Sequence, residues 1–275
     1  MLKIHKITAR DLPDLWFQAV SDILDNGRRY TIDEGSYAGA TRLEFDYFMG
    51  HVLHPGTRPF LPDMPPHCNI PAPVEEAYVY GGKGYTRSYV EYIMTPTKQE
   101  GESYTYGERL TRSLLLDWKW LAWNDKNKDI MNIKRKDGKI VIEDNYSIYI
   151  NQIEWIIDTY KTKGYNNNQM ILQVGEPTDC TLLDPPCLRQ IDTRIMDDKL
   201  HFFVYFRSWD LWNGLAANLA GIQELKEYMA GEIGVGDGEM IVESKGLHLY
   251  GYAEELAEMR TLKECHLRRD LNDGN

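Results

Sequence analysis

Cys187 stands in the segment DPPCLRQ, where Pro185-Pro186 fixes the backbone just before the thiol and stops a helix from running through it. On a strand that follows, Cys187 and Arg189 share one face and Leu188 points away. A cation beside a thiol favours the thiolate, the nucleophilic form. The alternative is a small buried hydrophobe, the reading kept for Cys68, Cys180 and Cys265. Twenty residues after Cys187, Arg207-Ser208 closes the aromatic run FFVYF. An arginine at the end of such a strand calls for an anion, either a ligand's or an internal carboxylate. Asp210 can cap a helix beginning near Gly214. Asn218 lies inside that helix among small and apolar neighbours (LAANLAG), so it is expected to face the interior. An interior amide needs partners for its donors and its acceptor, which a ligand edge or a structural hydrogen bond can supply.

These residues need a scaffold, and 275 residues are enough for one large domain with a full core. Hydrophobic residues make up 43% and charged residues 27%, the composition of a soluble globular protein. No apolar run reaches the roughly 18 residues of a membrane helix, and the start, MLKIHKITARDLPDLW, lacks the apolar core of a signal peptide. Four cysteines without a CxxC point to a reduced, cytoplasmic protein. Lys and Arg number 31 against 42 Asp and Glu, a net charge of −11 that repels a nucleic-acid backbone. One small anion still fits if a few arginines gather locally.

Apolar residues at helical spacing over 9–26 predict a helix stopping at Asn26-Gly27. Residues 28–42, polar and glycine-rich with two adjacent arginines, read as a loop, and RLEFDYFMGHVL reads as strand. Seven prolines make 55–73 irregular. Residues 74–94 read as a helix interrupted by glycines, 114–122 as helical or buried, KRKDGKIVIE as a hairpin around Asp137-Gly138, and 149–162 as an amphipathic helix. Strands follow in MILQV, CLRQIDTRIM and LHFFVYFRSW, with a turn at Asp197-Asp198 between the last two. Residues 214–231 form a helix ending at Gly231, EMIVESKGLHLYGY is strand-like, and 253–263 form a last helix. The expectation is one α+β domain over residues 1–275, with helices packed on a large mixed sheet.

Four segments, in order and in register, resemble the thymidylate synthase family, which includes the pyrimidine-nucleotide hydroxymethylases. Pro185-Pro186-Cys187 resembles its nucleophile segment, and Arg207-Ser208-Trp209-Asp210 its arginine-serine-x-aspartate segment. GLAANLAG resembles its glycine-leucine-proline-phenylalanine-asparagine-isoleucine-alanine run, and His248-Leu249-Tyr250 its histidine-x-tyrosine. The resemblance is firm over about residues 160–260 and looser upstream, where Tyr106-Gly107 resembles the family's tyrosine-glycine turn.

The resemblance implies a thymidylate synthase-like fold and a homodimer with a sheet face at its interface. It also implies a nucleotide monophosphate substrate and 5,10-methylenetetrahydrofolate, or a related pterin, as co-substrate, without a metal. Residue by residue, it implies that Cys187 adds to C6 of the pyrimidine and makes C5 a carbon nucleophile. Arg207 and Ser208 would hold the 5′-phosphate, Asn218 would read the base edge, and His248 and Tyr250 would hold the sugar hydroxyl. Asp210 would contact the folate ring, and Tyr106 would sit near the site of proton removal from C5. The family's catalytic glutamate falls on Glu76, with Glu75 the competitor.

The chain departs from the family pattern at several of these places. Leu188 replaces the histidine after the nucleophile, Ala216-Ala217 the proline-phenylalanine pair, and Phe206 a common glutamine. Asn167-Asn168-Gln169 stands where paired arginines would reach the partner's phosphate, so Arg189 and one of Arg28 or Arg29 are expected to replace them. Only 25 residues follow Tyr250, without the long segment that closes over folate in bacterial and eukaryotic enzymes. A divergent branch of the family is the expectation.

Two reactions share this machinery: reduction of the transferred carbon to methyl, or its capture by water, according to how well the closed site excludes water. Asparagine at 218 complements the N3–H donor and O4 acceptor of uracil, whereas aspartate would suit cytosine. The leading expectation is one-carbon transfer to dUMP, giving dTMP. The alternatives are a dUMP or dCMP/CMP 5-hydroxymethylase and, with Cys187 speaking against it, a non-catalytic nucleotide-binding protein.

Overall fold

The computed structural model describes residues 1–34, 37–63, 89–98, 100–117, 135–136, 139–140 and 147–267. In chain order these form strand β1 (Ile4–Ala9), helix α1 (Leu12–Asn26) and strands β2 (Arg28–Thr31), β3 (Thr41–Glu44) and β4 (Tyr47–Val52). Helices α2 (Tyr89–Met94) and α3 (Tyr106–Thr111) precede strands β5 (Ser113–Asp117), β6 (Arg135–Lys136), β7 (Lys139–Ile140) and β8 (Ser147–Ile150). Then come helix α4 (Gln152–Lys163) and strands β9 (Ile171–Gln173), β10 (Leu188–Met196), β11 (Lys199–Phe206) and β12 (Trp209–Asp210). Helix α5 (Gly214–Ile233), strands β13 (Gly236–Ser244) and β14 (Leu247–Tyr250), and helix α6 (Glu254–Thr261) complete the fold.

Period-two patterning builds the main sheet, whose order is β1-β4-β13-β11-β10-β9. It is mixed: β1 with β4 and β11 with β13 run parallel, and the other neighbours are antiparallel. One register row crosses all six strands through Ile7, Gly50, Val242, Val204, Ile191 and Leu172, and every residue in it is buried. The next row, Thr8, His51, Ile241, Phe203, Asp192 and Ile171, points the other way and none of it is buried. The sheet thus has one core face and one open face. The core face packs against α5, which also touches α1, α2 and α4. Buried residues from Ile7 to Cys265 form one connected core. A smaller sheet, β12-β14-β3-β2, carries Asp210, His248 and Tyr250 to the same end as the carboxyl terminus of β11.

Several expected elements shift. Residues 28–42 contain β2 and the start of β3, an antiparallel pair rather than a loop. All of β2 is exposed, so no apolar alternation marks it. The apolar run at 114–122 is in part strand: β5 pairs antiparallel with β8, the ambiguity inherent in a short apolar run. Helix α5 runs through Gly231 and stops at Gly234, whose φ of 89° is the left-handed conformation that the helix end requires. Of the hairpin expected around Asp137-Gly138, β6 and β7 pair antiparallel, Arg135 opposite Ile140 and Lys136 opposite Lys139, while residues 137–138 lie outside the described residues. The Asp197-Asp198 turn also forms, with φ of 50° and 55°, positive angles that aspartate tolerates. Of the helix expected at 74–94, residues 89–94 are helical and 74–88 lie outside the described residues.

Candidate active site

Strand β10 leaves the proline pair at Cys187 and runs antiparallel to β11, which brings Arg207 beside the thiol. The Arg207 N–H donates to the Cys187 carbonyl at 2.9 Å. Leu188 is fully buried and Cys187 half-buried, as strand alternation predicts. Between Leu188 and Gln190 the register slips, leaving Arg189 as a bulge that re-aims its side chain. Arg207 Nε donates to the Pro186 carbonyl at 3.1 Å, and Arg189 Nη1 reaches the same oxygen at 3.4 Å. Arg207 Nη2 also donates to the Pro185 carbonyl. Two guanidinium groups therefore converge on the peptide that precedes the nucleophile candidate.

Their effect on the thiol is opposed by its surroundings. Burial pushes the Cys187 thiol above its ordinary value, Arg207 and Arg189 pull it down, and Asp184 and Asp210 push it up. Burial wins, so the resting group is a thiol rather than the thiolate that adjacent cations alone would favour. Arg189 is also tied to Asp179 at 2.8 Å, and Asp179 accepts from Arg109 at 2.9 Å. Arg109 in turn meets Glu176 at 2.8 Å. Burial pushes the Asp179 carboxyl up, but the Glu176 N–H and the two arginines outweigh it and hold the group below the usual range.

Tyr106 opens α3, where Thr105 caps the helix by accepting from the Glu108 N–H at 2.9 Å. Gly107 is required beside it, because a Cβ there would lie 2.0 Å from the Thr95 carbonyl oxygen. The Tyr106 hydroxyl accepts from the Leu188 N–H at 3.3 Å, adjacent to Cys187. Burial keeps it a neutral phenol, well above the ordinary tyrosine value.

The remaining candidates line the start of α5 and the end of β14. Asn218 is buried with both polar ends engaged. Its Oδ1 accepts from the Trp209 indole N–H at 2.8 Å, and its Nδ2 donates to the Tyr89 hydroxyl at 2.8 Å. Asp210 caps the approach to α5 by accepting from the Trp212 N–H at 3.0 Å, and burial raises its carboxyl despite that bond. The Ser208 hydroxyl, between β11 and β12, makes no hydrogen bond among the described residues. His248 is 3% exposed, and its Nδ1–H donates to the Gly246 carbonyl at 2.9 Å. Its Nε2 is buried without a partner among the described residues. Burial pulls the imidazole down to about 4, so His248 is neutral with an open acceptor. Tyr250 packs edge-on against His248 and stacks on Tyr252, and burial pushes its phenol up to about 12.

Arg28 and Arg29 are placed differently. Arg28 pairs with Asp46 at 2.9 Å, and Arg29 meets Glu254 with two hydrogen bonds of 2.7 and 2.8 Å. No hydrogen bond or ion pair joins either to the group around Cys187 among the described residues. Glu75 and Glu76 lie outside the described residues. Four side chains not singled out in the sequence join the site: Arg109 and Asp179 behind Arg189, and Trp209 and Tyr89 around Asn218. Trp209 sits inside a motif that was read for its other positions, and the other three carry no local signal because only tertiary pairing brings them in. Among the described residues, no three His, Cys, Asp or Glu are grouped to hold a metal ion, and no helix is long and apolar enough to cross a membrane.

Comparison with known proteins bears on this arrangement. Residues 108–270, more than half of the chain, match the family described as thymidylate synthase. The chain is 24% identical over 252 residues to a provisionally named thymidylate synthase of Methanosarcina mazei, covering 92% of each protein. A protein of the same provisional name from Methanosarcina acetivorans is 23% identical over 252 residues, again 92% of each. One from Methanococcoides burtonii is 25% identical over 247 residues, 90% of this chain and 89% of the relative. Cys187, Arg189, Arg207, Asp210, Asn218, His248 and Tyr250 all fall inside the matched range.

Proposed function

The chain belongs to the thymidylate synthase family, and from that premise we propose that it is a one-carbon transferase acting on C5 of a uracil nucleotide, converting dUMP to dTMP. The observation that carries the reading is the convergence of Arg207 and Arg189 on the Pro186 carbonyl, one peptide before a half-buried thiol. In a chain of net charge −11, cations gathered at a single cysteine suit an anionic substrate presented to a nucleophile.

In this reading Arg207, with Arg189 and Ser208, holds the 5′-phosphate. Charge-assisted bonds to a dianion replace Arg207's bonds to backbone carbonyls. Arg28 and Arg29, already paired with Asp46 and Glu254, are left out of it. The neutral His248 accepts a hydrogen bond from the sugar hydroxyl at Nε2, beside Tyr250. Asn218 presents its remaining acceptor and donor to the N3–H and O4 of the base. The Cys187 thiol gives up its proton to solvent as Sγ bonds to C6, and the electron pair of the C5=C6 double bond moves onto C5. Tyr106, one residue from Cys187 through its bond to Leu188, holds its phenol proton near C5. Once the carbon has been transferred and the C5 proton has gone to solvent, Sγ leaves C6 as the thiolate, takes back a proton, and the C5=C6 double bond returns.

The site's residues fit a pterin. Asp210 offers a carboxylate, and the Tyr250–Tyr252 stack beside it, with Tyr252 exposed, offers a ring face. When bound, methylenetetrahydrofolate or a related pterin supplies the one-carbon unit and, for a methyl product, the hydride. The reading also includes a single domain and a homodimer through the open sheet face, where Phe203 and Met196 are exposed and Ile241 is not buried. A reducing, cytoplasmic setting suits the free Cys187.

Mass spectrometry of dUMP incubated with methylenetetrahydrofolate and the protein tests the reading. A product heavier by CH2 is expected. A product heavier by CH2O assigns the hydroxymethylase reaction instead, and unchanged nucleotide, both here and in a parallel incubation with dCMP, overturns the enzymatic reading.

A further inference from the structure

We propose that Trp209 is a positioning residue that sets base choice by fixing which way the Asn218 amide points. This rests on the reading of Asn218 as the base-contacting side chain. An amide flipped end for end has nearly the same shape, so shape alone leaves the order of its donor and acceptor open. The two protein partners of Asn218 differ in chemistry. An indole N–H only donates, whereas a tyrosine hydroxyl donates or accepts. The Trp209 N–H lies 2.8 Å from Oδ1, so only the oxygen can face it; a flipped amide would set two donors against each other. The Tyr89 hydroxyl, 2.8 Å from Nδ2, would accommodate either orientation. Of these two partners, only the indole is by its own chemistry unable to meet a flipped amide.

Trp209 is itself firmly held. It is 2% exposed and stacks on Phe206 with centroids 4.1 Å apart and planes 5° from parallel. Its backbone N–H donates to the Gly246 carbonyl at 2.9 Å. One acceptor lone pair and one N–H of Asn218 remain, in a fixed order along the amide edge. A fixed order complements one pyrimidine and opposes the other, because uracil and cytosine exchange donor and acceptor at N3 and at the neighbouring exocyclic group. The same turn that carries Arg207 to the thiol thus carries the group that makes the site selective for one pyrimidine, uracil in the reading given above.

Calorimetric titration with dUMP and dCMP tests this on the full chain. The wild type should prefer dUMP by about tenfold or more. Trp209→Phe keeps a ring to stack on Phe206 but removes the donor, and the preference should fall to within about threefold. Tyr89→Phe should weaken both nucleotides alike and leave their ratio unchanged. A Trp209→Phe protein that keeps the wild-type ratio overturns the proposal. So does a Tyr89→Phe protein that loses it, an arm that decides even if Trp209→Phe does not fold. A wild type that binds neither nucleotide, or an Asn218→Asp variant with an unaltered ratio, overturns the nucleotide reading and this proposal with it.

Discussion

Arg207 and Arg189, at the thiol, make different bonds from Arg28 and Arg29 on β2. Arg29 meets Glu254 with two hydrogen bonds, and Arg28 meets Asp46; the carboxylate side chains are 3% and 4% exposed. Those charges cancel within the fold. Arg207 gives its close bonds to the carbonyls of Pro185 and Pro186, and its acidic neighbour Asp184 is 3.5 Å away and 73% exposed. A carbonyl satisfies a guanidinium's donors without cancelling its charge. Arg189 is intermediate, sharing that carbonyl but also bound to Asp179. The difference teaches that proximity in sequence to a candidate motif is a poor guide to an arginine's use, and that the type of acceptor it meets is a better one.

The sharpest test of the first region is its nucleophile. Cys187→Ser should lower turnover by at least about a thousandfold, because a serine hydroxyl beside no general base is a far weaker nucleophile. Nucleotide affinity should stay close to wild type, since the arginines are untouched. The wild-type protein should form a covalent adduct with 5-fluoro-dUMP, located by peptide mass spectrometry. An adduct on any other residue would break the assignment. Because burial holds the resting thiol above its ordinary value, alkylation of Cys187 in the free protein should be slow near neutrality and accelerate with rising pH.

The next test sets the two regions directly against each other. Arg207→Ala should weaken dUMP binding by about tenfold or more, and by less at high salt, with little loss of stability. Arg29→Ala should do the reverse. It leaves Glu254 buried without its strongest partner and should cost about 2 kcal/mol, between the values for exposed and fully buried pairs. Its dUMP affinity should be retained. Urea denaturation and titration of both variants read the two quantities separately. If Arg29→Ala loses affinity and keeps its stability, β2 belongs to the site and the contrast collapses.

Much of the contrast was legible in the sequence, and the missing part has a physical cause. The strands from 188 to 206 follow from period-two patterning, which marks an element with one buried face. The helix beginning at Gly214 is legible instead from its run of small and apolar residues, and it is buried at every position from Gly214 to Gln223. Strand β2 has no buried face, so Arg28 and Arg29 looked like loop residues available to a ligand. Strand alternation put Cys187 and Arg189 on one face; the bulge at Arg189 breaks that alternation, and its guanidinium instead reaches the Pro186 carbonyl beside Cys187. Local sequence could not show that burial outweighs two cations at the thiol, because desolvation depends on residues distant in sequence. Asn218 was expected inside, and it is. Its partners Trp209 and Tyr89 come from elements nine and 129 positions away, and the latter separation leaves no local trace.

Lys226 extends the comparison to a cation with no exposure at all. Its side chain is 0% exposed on α5, donating to the Gly238 carbonyl and facing Asp237 at 3.3 Å. By the rule drawn from the arginines it mixes both kinds of partner, but burial leaves it no access to a ligand. Its effect should therefore fall on stability and not on nucleotide affinity. Burial, opposed by Asp237, pulls its ammonium from 10.5 down to about 8. Above pH 8 the folded protein gives up this proton while the unfolded chain keeps it until about 10.5. The unfolded state then binds more protons, so this group makes unfolding harder as pH rises through that window. Other groups titrate there too, including tyrosines with the opposite sign, but they are common to wild type and Lys226→Met. The stability of wild type relative to Lys226→Met should accordingly be level below pH 8. It should then climb by at most about 1.4 kcal/mol per pH unit toward pH 10. Paired urea titrations across that range measure the difference. A level difference throughout would mean that Asp237 fully offsets burial, which would place Lys226 with Arg29 among cations neutralised by a carboxylate.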